Sequence, residues 1–514
     1  MDRNALQNIN IGKVSISRSK ALIFILYGLV FLFYISGLHQ QLDVSYENRI
    51  KFHAVPIAIS TLYQGHKHDY RGWRSTEIPF QNDILLTDEF LAKQIKAPVD
   101  KDQGHYYWVA DDRGYADYVI AAFALFGPHM RSLYDFWFVL LLLSITFFVQ
   151  AFGRQVWPLA FLSLLVLGIH FASALLKLIQ IPIGIYEPRY LDALALIPVF
   201  HMIFAASFFQ KEDLKKHFFC LFGQLFIFTF LYHARSSLGW EIVAVIGISL
   251  SVLFVRKRKN AVFPLLVITM LIASLMLLTG YKRQTYHKNY FEEMGVRTFW
   301  HNALMGLNKV LPEFDVDDVV IAHLVIQYAK ESKICESCVE KLAAQELLNT
   351  LGNWGRADWL AYEKCAKKLY FSLLHQNKWK ILQMYLFHKP LRVLIELRSP
   401  KGVLYSGKTF LTSGENARRN PLHLLYLIPL GLILFFSIQS LHLYRWKLLA
   451  ITLAVFFAGM IPSIAFYTDI LTRGGLSVTM VILLYLGIAI CLFSAYKWVV
   501  KMIYPHRVNA YETQ

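Results

Sequence analysis

Two kinds of side chain in this sequence have the types and the placement to do chemistry: carboxylates and arginines at the ends of long apolar blocks. Asp43 stands just past the first block, in Leu42-Asp43-Val44-Ser45-Tyr46-Glu47. The run Asp111-Asp112-Arg113-Gly114-Tyr115-Ala116-Asp117-Tyr118 opens an apolar stretch at 119–126, which Gly127-Pro128 ends. Asp135, Lys177, Glu187, Arg189, Asp192, Arg235, Glu241, Asp469 and Arg473 sit at the ends of further blocks, whose middles avoid Asp, Glu, Lys and Arg. A carboxylate within about 2.6–3.2 Å of a hydroxyl can take its proton as general base. The planar guanidinium of Arg grips two phosphate oxygens at once. Gathered at one membrane face, such groups point to a polar site there. Taken singly, each also reads as an interfacial side chain or a helix cap.

The elements that must position these residues follow from composition. The chain has 514 residues, 56% hydrophobic and 17% charged, with a mean hydropathy of +0.41. Soluble domains carry roughly a quarter charged residues. The apolar residues fall in charge-free blocks of about 18 to 22, the length that spans a hydrocarbon core. A soluble enzyme, a disordered chain and a disulfide-stapled secreted module are excluded. The fold class predicted is an all-α polytopic membrane protein of about ten spans, at 21–38, 134–152, 157–178, 190–209, 218–232, 240–255, 261–280, 422–440, 448–467 and 476–496.

The net charge of +17 is mostly an orientation signal. Alternate connections hold Arg154, then Lys211, Lys215 and Lys216, then Arg256 to Lys259, then Arg445 and Lys447, and finally Lys497, Lys501 and Arg507. By the positive-inside rule both termini are cytoplasmic, and no nucleic-acid footprint is left to explain. The first apolar run is long enough to span and lacks a small-residue cleavage pattern, so it reads as an uncleaved span. No Asn-x-Ser/Thr sequon occurs, which favours a bacterial inner membrane.

Three regions are expected. Residues 1–280 form a seven-span membrane core that includes a first external loop at 39–133. Residues 281–420 form an external helical domain, and residues 421–514 a C-terminal segment of three spans. Helical patterns occupy 53–62 in the first loop, and 318–329, 338–351 and 356–374 in the second. The cluster Arg297-Thr298-Phe299-Trp300-His301-Asn302 stands out there as an aromatic and imidazole group without an assigned role.

The first loop resembles that of the GT-C class of integral membrane glycosyltransferases, which includes protein O-mannosyltransferases and lipid A aminoarabinose transferases. In that class an acid just beyond the first span is followed by a Tyr and a short helix ending at Gly. A second helix then closes with a Phe-Gly-Pro-like turn before the second span. Asp43, Tyr46 and Gly65 echo the first part, and residues 121–132 (AAFALFGPHMRS) echo the second. By order of elements the resemblance extends over about the first 280 residues. Val44 stands where the class usually carries a second acid.

The resemblance implies transfer of a sugar from a polyprenyl-phosphate donor to an external glycan or lipid acceptor, with inversion. It makes Asp43 the base, with Asp112 the other catalytic candidate. Arg189, Arg235 and Arg473, each at an outer helix end, are the candidate contacts to the donor phosphate, where a divalent cation could also serve. Other readings stand beside these. Asp43 could cap the following helix, and Asp111 and Asp112 either bind metal or cap the helix at 119. Arg235 is a phosphate contact or a packing residue with its head at the interface.

The remaining motifs say less. His66, His68 and Asp69 make either a metal site or a surface cluster, and no metal ligand is assigned. His170 and His201, within spans, are expected to form interhelical hydrogen bonds. Cys220 and Cys491 lie in spans, whereas Cys335, Cys338 and Cys365 are external and suggest one disulfide whose pairing the spacing does not choose. No phosphate-binding Gly loop, His-Glu-x-x-His motif or Gly-x-Ser-x-Gly elbow occurs. An envelope polysaccharide polymerase or ligase, recognising a lipid pyrophosphate glycan through outer arginines, is the alternative enzyme. A non-catalytic transporter or assembly protein is the alternative class, though paired broken spans and internal symmetry are not visible.

Overall fold

The computed structural model describes residues 8–11, 14–38, 54–55, 58–59, 61–63, 88–96, 114–178, 191–210, 213–255, 261–285, 299–307, 318–331, 359–391, 444–465, 479–480, 482–492 and 495. Apart from a hairpin of β1 (Asn8–Ile11) and β2 (Val14–Ser17), its regular elements are helical. The hairpin was not foreseen from the sequence. Its strands alternate Ile or Val with Asn or Ser, the period-2 pattern of a half-buried strand, but each is only four residues long.

The first half of the chain builds a bundle from α1 (Arg18–Leu38), α4 (Met130–Phe152), α5 (Val156–Leu178), α6 (Leu191–Phe208), α7 (Leu214–Ala234), α8 (Gly239–Val255) and α9 (Val262–Thr285). Two shorter helices, α2 (Asp88–Lys96) and α3 (Tyr115–Phe126), fall between α1 and α4. Among the described residues six helices are long and apolar enough to cross a membrane: α1, α4, α6, α7, α8 with the turn before it, and α9. Apart from the N-terminal hairpin, the described part of the molecule is therefore a helical membrane protein. Of the other predicted spans, the one at 157–178 is helical as α5, and the one at 422–440 lies outside the described residues.

Side-chain contacts fix the directions of these helices. Tyr34 donates to Asp135 Oδ1 at 3.0 Å and Tyr27 pairs with Thr146 at 3.0 Å, so α1 and α4 are antiparallel. Gln224 Nε2 donates to the Ser144 carbonyl at 2.6 Å and Cys220 Sγ to Gln150 Oε1 at 3.6 Å, which sets α7 against α4 in the same way. We call the end that holds the start of α4 the upper end. The C-termini of α1, α7 and α9 and the N-termini of α6 and α8 lie there. In the centre runs α6, buried on every side from Leu191 to Ala206 and packed by α7, α8 and α9. A helix apolar all round belongs in such a position. His201 Nδ1 lies 3.4 Å from Gln224 Nε2 across the α6–α7 contact, while the His170 ring meets Phe33 edge-on at 4.6 Å.

The later helices α14 (Arg445–Gly459), α15 (Ile461–Ala465) and α16 (Ile482–Leu492) add to this body. The Tyr444 ring packs at a tilt against Trp157 at the lower end, and a side chain at Gly459 would meet the Trp240 ring near the upper end. Thus α14 runs upward along α8. Pro462 divides the predicted span at 448–467 into α14 and α15, since proline lacks the amide a continuing helix needs.

A second hydrophobic cluster joins α10 (Phe299–Met305), α11 (Asp318–Glu331), α12 (Trp359–Gln376) and α13 (Lys378–Gln383), the last continued by a π-helical turn over Met384–His388. The patterns at 318–329 and 356–374 become α11 and α12; the one at 338–351 lies outside the described residues. The conspicuous aromatic and imidazole cluster is the start of α10. Glu363 accepts from the amides of Trp300 at 2.8 Å and His301 at 3.2 Å, and Tyr362 pairs with His301 Nδ1 at 2.6 Å. Burial raises the Glu363 carboxyl above the ordinary range, and the two amides pull it back.

Lys389 ties this cluster to α15. Its ammonium donates to the Ile464 carbonyl at 2.8 Å and lies 4.4 Å from the Tyr385 ring. Burial lowers it from 10.5 to about 7. The folded protein then binds fewer protons than the unfolded chain between these two values, so this group makes stability rise as pH increases across that window. Thermal denaturation between pH 7 and 9.5 should show that rise, by up to about 1.4 kcal/mol per pH unit. The variant Lys389→Met should lose it.

Candidate functional site

The upper end holds a cluster of polar side chains brought together from five helices. It begins where α3 meets α7. Gly114 caps α3, and a Cβ there would collide with the His233 carbonyl in the last turn of α7. The missing side chain lets the two helix ends touch. Asp117 lies in the first turn of α3 and His233 in the last turn of α7, the ends at which a helix dipole favours an anion and a cation respectively. His233 Nε2 is 2.5 Å from Asp117 Oδ2. Tyr281, near the C-terminus of α9, donates to the same oxygen at 3.4 Å, its ring perpendicular to the imidazole. The His233 side chain is 3% exposed and that of Asp117 12%, so the carboxylate edge is the part of the pair that solvent reaches.

The rest of α3 supports this contact. Tyr115, Tyr118, Val119, Ala122 and Phe123 are buried, and the Tyr118 hydroxyl donates to the Leu133 carbonyl at 2.7 Å. Gly127 ends the helix with φ at +88°, a conformation that side chains rarely adopt. Ser132 Oγ then donates to the Gly127 carbonyl at 2.7 Å, which steers the chain into α4. The helix begins at Tyr115, a turn earlier than the apolar pattern suggested, and so Asp117 belongs to it.

Beyond His233 the chain turns in four residues. Arg235 leaves α7 in extended geometry, a short 3-10 turn spans Ser236–Leu238, and α8 begins at Gly239. Ser237 donates to Asp192 Oδ2 at 3.4 Å, linking this turn to the first turn of α6. Glu241, in the first turn of α8, is wholly buried, with Asp192 the charge that acts on it. Among the described residues neither carboxyl oxygen of Glu241 finds a hydrogen-bond partner. Uncompensated burial of this kind is costly.

Of the residues singled out from sequence, Arg235 is described, and it sits in the upper turn. Asp43, Asp112, Arg189 and Arg473 lie outside the described residues, as do His66, His68, Asp69, Cys335 and Cys338. Cys365 is buried within α12. Nevertheless, the helix ends that flank the first four share one location. Asp43 follows the C-terminus of α1, Asp112 precedes Gly114, Arg189 precedes α6, and Arg473 follows α15. Each of these ends lies at the upper side.

The Asp117–His233 pair escaped the sequence reading. Its signal was present as an acid at the start of an apolar helix and a His at the close of a span, 116 residues apart. Only the docking of α3 on α7 makes them neighbours. A carboxylate set against an imidazole fixes the orientation of the ring and can hold or pass a proton. Among the described residues no three His, Cys, Asp or Glu side chains gather as a metal ion would require. Comparison with protein-family models, with curated proteins and with solved structures gives no match for this chain.

Two substitutions check this geometry. Gly114→Ala should lower stability by about 1–3 kcal/mol as the added methyl pushes α3 from α7, whereas Gly247→Ala, where a Cβ meets no atom within 4 Å, should not; thermal denaturation in detergent measures both. Replacing the buried, partnerless carboxyl with an apolar side chain of similar size, Glu241→Met, should raise the melting temperature in the same assay.

Proposed function

We propose that this protein is a GT-C-like membrane glycosyltransferase, moving a sugar from a polyprenyl-phosphate donor to an extracytoplasmic glycan or lipid acceptor. The observation that carries the reading is that the helix ends flanking every candidate acid and arginine lie at one end of the bundle, the end that holds Asp117 and His233. The opposite end carries Arg18, Lys20, Arg154, Lys215, Arg445 and Lys447 on its helix termini and connections. The positive-inside rule makes that end cytoplasmic. The polar cluster then faces outward, where a carrier lipid presents its head group, and both termini face the cytoplasm. Ten spans complete the topology, and a bacterial inner membrane is the compartment.

The short α3, closed by Gly127-Pro128 directly before the second span, is the element that the resemblance leads one to expect. In this reading Asp43 takes the proton of the acceptor hydroxyl as its oxygen bonds to the anomeric carbon. The bond from that carbon to the phosphate oxygen breaks, and polyprenyl phosphate departs. Attack opposite the leaving group inverts the centre. Asp112 is the second acid near the reacting hydroxyl. Arg189, Arg235 and Arg473 hold the phosphate, whose negative charge grows as it leaves. A divalent cation bound beside them would supply the same charge. The Asp117–His233 contact keeps α3 seated over this reaction zone.

The test is turnover of labelled polyprenyl-phosphate hexoses and pentoses by the purified protein in lipid nanodiscs. Asp43→Asn should reduce transfer by about 10²- to 10⁴-fold, the usual worth of a general base, while membrane insertion stays intact. Arg235→Ala should weaken use of the donor. Failure to consume any such donor, or full turnover by Asp43→Asn, would overturn the assignment.

A further inference from the structure

Where the second helical cluster meets α15 there is a cavity of about 460 Å³, within the size range of small-molecule sites. Trp300, Tyr370, Phe371 and Tyr385 line it from the cluster, and Ile461 and Ile464 from α15. Its tyrosine hydroxyls are already engaged. Those of Tyr370 and Tyr385 are 3.1 Å apart, and Tyr385 also donates to the Ala465 carbonyl at 3.4 Å. The lining therefore suits an apolar occupant. Lys367 is exposed beside it, with Nζ 5.6 Å from the centre of the Trp300 ring.

The neighbouring helix has the character of an interfacial one. From Lys378 to Leu391 there is no Asp or Glu. One face turns Ile381, Met384 and Lys389 inward. The other leaves Trp379, Leu382, Leu386, Phe387 and Leu391 in the open, Trp379 at 72% and Phe387 at 66% exposure. Lys378 and Lys380 flank the apolar positions and are exposed. Basic residues among aromatic and aliphatic ones, on a helix with a bare apolar face, form the pattern that settles at the boundary of head groups and acyl chains.

Depth in the molecule agrees with this. Gly459 is level with Trp240, near the start of a membrane-crossing helix, and α15 begins two residues later. The cavity thus opens at the rim of the spanning body. We propose that it binds an acyl chain of an anionic bilayer phospholipid, with the open face of α13 and its π turn resting in the membrane interface and Lys367 beside the head group. Continuity with the spanning helices and the uniformly basic charge together select this occupant. The assignment is independent of the reaction the protein performs.

Photo-crosslinking of the full-length protein tests it, in nanodiscs containing phosphatidylglycerol with a diazirine in one acyl chain. Mass spectrometry should recover adducts on the peptides bearing Trp300, Phe371 and Tyr385. Filling the cavity by Ala303→Trp should abolish those adducts. Phe387→Glu, on the open face and away from any packing, should reduce labelling of residues 378–391, and Lys367→Glu should remove the preference for phosphatidylglycerol over phosphatidylcholine. Adducts confined to the spanning helices, undiminished labelling in Ala303→Trp, or displacement by polyprenyl phosphate but not by unlabelled phosphatidylglycerol would each overturn the proposal.

Discussion

Hydrocarbon offers no partner to an unpaired amide or carbonyl, so a chain that crosses it does so as closed helices, and polar chemistry is driven to the helix ends. That constraint organises this molecule. The centre of the body is α6, apolar and buried on every side, around which α7, α8 and α9 are arranged. Among the described residues the buried carboxyls of the body, Asp192 and Glu241, occupy first helical turns and His233 a last one, while the buried imidazoles of His170 and His201 lie within their helices. Because successive spans alternate in direction, half of all helix ends lie on each side. The polar residues of distant segments consequently share one surface without any of them crossing the bundle.

Within that surface, close approach sets the geometry. At Gly114 the absence of a side chain allows α3 to touch the end of α7, and Asp117 and His233 are paired as a result. Gly127 supplies the reversal that returns the chain into α4. Neither glycine does chemistry; both decide where the groups that can do chemistry are held. Glu241 differs from its neighbours, since nothing among the described residues satisfies its carboxyl. Such a group lowers the stability of the fold where it stands.

The second helical cluster obeys another balance. It has a core of its own, closed by Glu363 on the start of α10 and by the Tyr362–His301 pair, yet much of its surface is bare aromatic and aliphatic side chain. In water such a surface would be a liability. Beside spanning helices it becomes a means of attachment, and the buried Lys389 on the Ile464 carbonyl anchors it there.

The helical membrane class and the six long apolar helices among the described residues were legible in the sequence because hydropathy is a local property, contained in each apolar block itself. The helices at 318–329 and 356–374 were legible for a similar reason, through a periodicity contained in the segment itself. Local pattern also found Arg235, at the end of one block. It did not find Asp117 with His233, because their pairing depends on which helices pack together, and no periodicity encodes that. Nor did it assign the cluster around Trp300 and His301, whose role as a capped helix start rests on Glu363, more than sixty residues further along. Tertiary structure alone decided which polar ends become neighbours, since contact between distant segments is set by the shapes of packed surfaces and not by the composition of either one.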